Sequence, residues 1–78
     1  MEFRIEQRVK ELMSDILGLN PDEIEASTSM DNVAAWDSLN HLNLCLAMEQ
    51  EFGIALEVEE IESMLSYRDI LDIVLQKV

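Results

Sequence analysis

Cations are scarce in this chain, and almost all of its middle has none. From Glu11 through Tyr67 there are thirteen Asp and Glu and no Lys or Arg. The whole sequence holds 5 Lys and Arg against 17 Asp and Glu, a formal net charge of −12. A field of one sign repels nucleic acid and anionic lipid, and it speeds encounter with proteins that present basic patches. Cysteine is nearly absent as well. The single Cys45 excludes an internal disulfide framework and any Cys-based zinc site, and a lone thiol suits a reducing compartment. Only one Pro and two Gly interrupt a composition that is 49% hydrophobic, which favours a compact helical domain over a disordered acidic tail. No stretch approaches the roughly 18 apolar residues of a membrane span. Met1-Glu2-Phe3-Arg4 has no charged-then-apolar leader pattern, so a cytoplasmic protein is expected.

Seventy-eight residues are enough for one domain with a modest core, spanning 1–78. The apolar residues follow helical periods and show no strand alternation. Ile5, Val9, Leu12, Met13 and Ile16 make the stripe of a first helix that Gly18 ends. Asn20-Pro21-Asp22-Glu23 reads as a capping box with proline at the first helical position, with Leu19 and Ile24 as a hydrophobic staple. The polar stretch from Ala26 to Ala35 reads as an ordered loop pinned by Met30, Val33 and Trp36. A second helix is expected from about Asp37 to Glu51. Its consecutive Leu44, Cys45, Leu46, Ala47 and Met48 suggest contact on several sides. Val58, Ile61, Met64 and Leu65 mark a short third helix. Ser66 with Asp69 caps a last one, striped by Tyr67, Ile70, Leu71, Val74 and Val78. The expected fold is all-α, a small four-helix bundle of three longer helices and one short, with Leu12, Ile16, Leu42, Leu46, Ile70 and Val74 in one core.

The most informative residues are Trp36-Asp37-Ser38-Leu39, where the polar loop turns into the apolar segment from Leu39 to Phe52. Asp37 reads as the N-cap, which puts Ser38 at the first helical position with its hydroxyl exposed. A phosphate attached there lies at the positive end of the helix dipole. The run Asp37-Ser38-Leu39, then Leu42-Asn43-Leu44, then Met48-Glu49-Gln50-Glu51-Phe52-Gly53-Ile54, closely resembles the acyl carrier proteins, and the likeness extends over nearly the whole chain. That resemblance implies that Ser38 carries 4'-phosphopantetheine, attached by a phosphopantetheinyl transferase. It implies that the arm's thiol, not Cys45, holds acyl groups as thioesters for acyl-loading and acyl-processing enzymes with basic docking patches. It also implies a monomer without catalytic activity of its own, and a docking surface of Asp37, Leu39, His41, Leu42 and Met48.

Two departures bear on the pathway. Carriers of fatty-acid synthesis present further acids after the serine, whereas this chain has Asn40, His41 and Asn43. Ala34-Ala35-Trp36 stands where peptidyl carriers have a glycine pair. A specialised lipid, polyketide or modified-sugar pathway is therefore expected. The competing readings are an acidic helical interaction module without cofactor, and a small hydrolase using Ser38 with His41 three residues on. Against the hydrolase, no carboxylate is placed by sequence to orient the imidazole, no glycine-rich oxyanion loop precedes the serine, and His41 reads as a surface residue. Asp31-Asn32 lacks the ladder and glycine of an EF-hand, so no dedicated metal site is expected.

Overall fold

The computed structural model describes residues 2–78, with the side chains from Phe3 onward; Met1, part of the leader reading, lies outside the described residues. Among the described residues four α-helices occur in chain order, α1 (Glu2–Leu17), α2 (Ser38–Phe52), α3 (Val58–Ser63) and α4 (Tyr67–Lys77), with a 3₁₀ turn at Pro21–Glu23. α1 packs on α2 and on α4. Its buried residues are Val9, Met13 and Leu17, one turn apart on a single face, flanked by half-buried Ile5, Leu12 and Ile16. Gly18 then adopts φ 71°, and its amide donates to Ser14 O at 2.9 Å, so a residue without Cβ closes the helix at little steric cost.

The connection from α1 to α2 is ordered by its own polar groups. The Glu23 carboxylate accepts from Asn20 N at 3.0 Å and shapes the Pro21 turn. Asn32 accepts from Ser29 N and donates to Ser27 O, both at 2.9 Å. An isolated antiparallel bridge pairs Ser29 with Ser66: Met30 N donates to Leu65 O at 3.2 Å and Tyr67 N to Thr28 O at 2.8 Å. Trp36 is buried, and Met30 and Val33 pack against the core, as the sequence suggested.

α3 is six residues long, well under the ~12–15 at which an isolated helix persists, so its anchors come from elsewhere. Met64 just beyond it is fully buried, and Glu60 accepts from Glu57 N at 2.8 Å and from Lys77 Nζ at 2.9 Å. Ser66 caps α4 by accepting from Asp69 N at 3.2 Å. Tyr67, Ile70, Leu71 and Val74 face the core, whereas Val78 lies past the helix end and is exposed.

The phase of α2 differs from the expected one. Its buried residues are His41, Leu44, Cys45 and Met48. Leu42 and Leu46, expected in the core, are 53% and 56% exposed, and with Leu39 at 69% they form an apolar stripe on the opposite side. α2 is therefore covered on one broad face rather than on several. At about 100° per residue, 41, 44, 45 and 48 share one side and 39, 42 and 46 share the other, so one phase had to be left in water.

Candidate functional site

The stretch from Val33 to His41 is built by a chain of local bonds. Trp36 N donates to Val33 O at 3.0 Å, and the buried indole fixes the chain just before α2. Asp37 is extended (φ −96°, ψ −176°), its Oδ1 accepts from Asn40 N at 2.9 Å, and its carbonyl takes His41 N at 2.8 Å. This is the expected N-cap, and it puts Ser38 at the first helical position, exposed. The Asn40 side chain reaches back to Ala35 O at 2.7 Å, so the approach and the first turn are held together. The first turn itself holds no acid. The N–H groups of Ser38 and Leu39 have no acceptor within the helix, and they lie at its positive end. An exposed primary hydroxyl beside unpaired N–H donors and outside the packed core suits a bulky phosphodiester.

Of the docking residues expected from sequence, Asp37, Leu39 and Leu42 are exposed, and Leu46 joins the two leucines. Leu46 is one of the residues expected in the core; the sequence signal for its exposure is the spacing 39, 42, 46 from the cap. His41 and Met48 are corrections. Met48 is fully buried and contributes no surface, because it lies two turns beyond His41 on the core side of α2. His41 is 9% exposed and bonded on both ring nitrogens. Trp36 Nε1–H is a donor only, so His41 Nδ1 accepts from it, at 3.0 Å. The imidazole proton is then on Nε2, which donates to Ile61 O at 2.7 Å. Neither nitrogen is directed at Ser38, which removes the geometric basis of a Ser-His nucleophile. Cys45 is 3% exposed, and burial, with a smaller contribution from Glu49, pushes its thiol pKa up to about 11. It packs as a small apolar group. Among the described residues no three His, Cys, Asp or Glu side chains group as a metal site, and no helix is long and apolar enough to cross a membrane.

The profile of a family described as "Phosphopantetheine attachment site" matches residues 7–74. The chain belongs to the acyl carrier protein family. It is 32% identical over 73 residues to an acyl carrier protein of Nitratidesulfovibrio vulgaris, covering 94% of this chain and 96% of that one. It is also 32% identical over 77 residues to the acyl carrier protein of Thermosynechococcus vestitus, covering 99% and 95%. The fold is similar to that of an acyl carrier protein from Thermotoga maritima (TM-score 0.79, 24% identity, 97% of this chain and 88% of that chain). It is also similar to the apo doublet acyl carrier protein from prodigiosin biosynthesis (TM-score 0.78, 20% identity, 95% of this chain and 36% of that chain). This acyl carrier protein thus bears a covalent 4'-phosphopantetheine group, and as a family member it works with a phosphopantetheinyl transferase and with biosynthetic enzymes. The four-helix architecture expected from sequence is the family's.

Proposed function

We propose that Ser38 is the attachment point of the arm and that the exposed side of α2 below it, Asp37, Leu39, Leu42 and Leu46, is the surface partner enzymes read. The observation that carries this reading is the exposed hydroxyl at the first position of the helix after a capping aspartate. Four other serines are otherwise engaged: Ser14 donates to Leu19 O, Ser29 accepts from Asp31 N at 3.3 Å, Ser63 donates to Glu60 O at 3.0 Å, and Ser66 caps α4; Ser27 is exposed but lies in the loop, away from any helix start. The bound arm supplies a thiol that holds the acyl group as a thioester. The chain's own residues supply tethering and orientation. Leucines without neighbouring cations, on a chain of net charge −12, suit an apolar groove on the partner rimmed by Lys and Arg. The chain acts as a single, monomeric, cytoplasmic carrier domain without catalysis of its own. Asn40, His41 and Asn43 after the serine, where fatty-acid-synthesis carriers present acids, favour a dedicated lipid, polyketide or modified-sugar pathway.

Wild type and Ser38→Ala are incubated with coenzyme A and a promiscuous transferase and weighed by mass spectrometry. Wild type gains one phosphopantetheine and Ser38→Ala gains none. Modification of the Ala variant, or none of wild type with several transferases, overturns Ser38 as the attachment point.

A further inference from the structure

The sequence has one Trp and one His, and the fold bonds them to each other. Trp36, His41 and Ile61 belong to three separate elements: the approach to Ser38, the first turn of α2, and α3. The imidazole joins all three, accepting from Trp36 Nε1 at 3.0 Å and donating to Ile61 O at 2.7 Å. The other amide near Ile61 O is that of Met64, at 3.4 Å, so His41 supplies the shorter bond to the last turn of α3. α3 is also too short to persist by itself. At the other end Trp36 immediately precedes the capping Asp37, so its placement sets the direction in which the chain enters Ser38.

We propose that His41 is a positioning residue for the loading of Ser38: without touching the arm, it holds the approach, the start of α2 and α3 in one register so that the transferase meets a single surface. This inference rests on Ser38 being the attachment point. When this Trp36–His41–Ile61 crossbar opens, the approach and α3 move independently, and only the fraction of molecules with both in place is competent to dock. Apparent affinity falls by that fraction while the chemical step, once docked, is unchanged.

The test compares wild type, His41→Leu, His41→Gln and Trp36→Phe as substrates of one transferase with coenzyme A. Holo product is followed by mass, at a temperature where circular dichroism shows every variant folded. His41→Leu keeps most of the bulk and removes both bonds; Trp36→Phe removes the indole donor together with part of a buried ring. Both are expected to raise the KM for the carrier about tenfold with kcat within about twofold, the signature of lost docking rather than lost chemistry. His41→Gln carries an acceptor and a donor on one amide and is expected to return KM to within about threefold of wild type. A general loss of stability would not split KM from kcat in folded protein, nor be rescued by Gln. If His41→Leu does not fold, Trp36→Phe decides by the same criterion. A KM within about threefold of wild type for the decisive variant, or a Gln variant as impaired as Leu, overturns the proposal. Failure of wild type to load overturns the Ser38 reading and this inference with it; equal loading of all four overturns the crossbar alone.

Discussion

Leu44 and Leu46 are two residues apart on one helix, yet they face opposite environments: Leu44 is 0% exposed and Leu46 is 56% exposed. Truncating each to Ala isolates burial, since residue type, helix and distance from the ends are nearly the same. The change removes about three carbon groups, worth about 0.8 kcal/mol each when fully buried, or about 2.4 kcal/mol of transfer free energy. At Leu44 the residual cavity adds to this, for an expected loss of about 3–5 kcal/mol. At Leu46 less than half of the side chain leaves water on folding, so the loss is at most about 1 kcal/mol, and alanine's better helix propensity returns a few tenths. The assay is urea unfolding followed by far-UV circular dichroism and by Trp36 fluorescence, with coincident transitions as the two-state check. With a slope of roughly 1 kcal/mol per molar urea, Leu44→Ala shifts the midpoint by about 3 M or leaves the chain unfolded, while Leu46→Ala shifts it by under about 1 M. Equal losses at the two positions would refute the assigned phase of α2.

Removing the Tyr67 hydroxyl is expected to help the fold. That oxygen is buried and has no hydrogen-bond partner among the described residues, so Tyr67→Phe should be neutral or stabilising by up to about 1–3 kcal/mol; a loss above about 1 kcal/mol would show that it is satisfied. Asp37→Ala should cost about 0.5–2 kcal/mol through the lost bond to Asn40 N, and Asp37→Asn should recover most of it; an Asn variant as weak as Ala would assign the effect to charge instead. The folded Cys45 thiol, at about 11, titrates above its unfolded value of about 8.5. Its contribution to stability is thus complete below about pH 8.5 and is lost as pH rises toward 11. Stability should fall more steeply over that window in wild type than in Cys45→Ala, and identical slopes would contradict this.

The ends of the helices were legible because they rest on local chemistry: Gly18 and Gly53 at positive φ, Pro21 opening a turn, and Asp37 and Ser66 accepting amides three residues on. Ser38 was legible for the same reason. The facing of α2 was not. Leu44 through Met48 are apolar on all sides, so hydrophobicity gives no phase, and leucines at 39, 42 and 46 look more like a core than a face containing His41 does. What decides the phase is long-range: an indole five residues upstream and a carbonyl twenty residues downstream satisfy the imidazole inside the core. The Ser29–Ser66 bridge is equally illegible, since pairing between a loop and a helix junction leaves no periodic trace in the sequence.

A thioester is an electrophile, and the placement of nucleophiles bears on how long cargo survives. Amines, thiolates and free imidazoles attack such esters, and the thiol, the imidazole and the lysine amines of this chain are each scarce or engaged. The thiol of Cys45 is buried and remains protonated far above neutral pH, whereas the thiolate is the attacking species. The imidazole of His41 has no free nitrogen, its one lone pair being occupied by the Trp36 indole. The lysines are only Lys10, whose Nζ sits 5.6 Å from the centre of the Tyr67 ring, and Lys77, paired with Glu60 at 2.9 Å. The scarcity of cations thus has a second effect besides electrostatics: between Glu11 and Tyr67 the surface offers no lysine amine to which a tethered acyl group can transfer, so the carrier is poorly equipped to acylate itself.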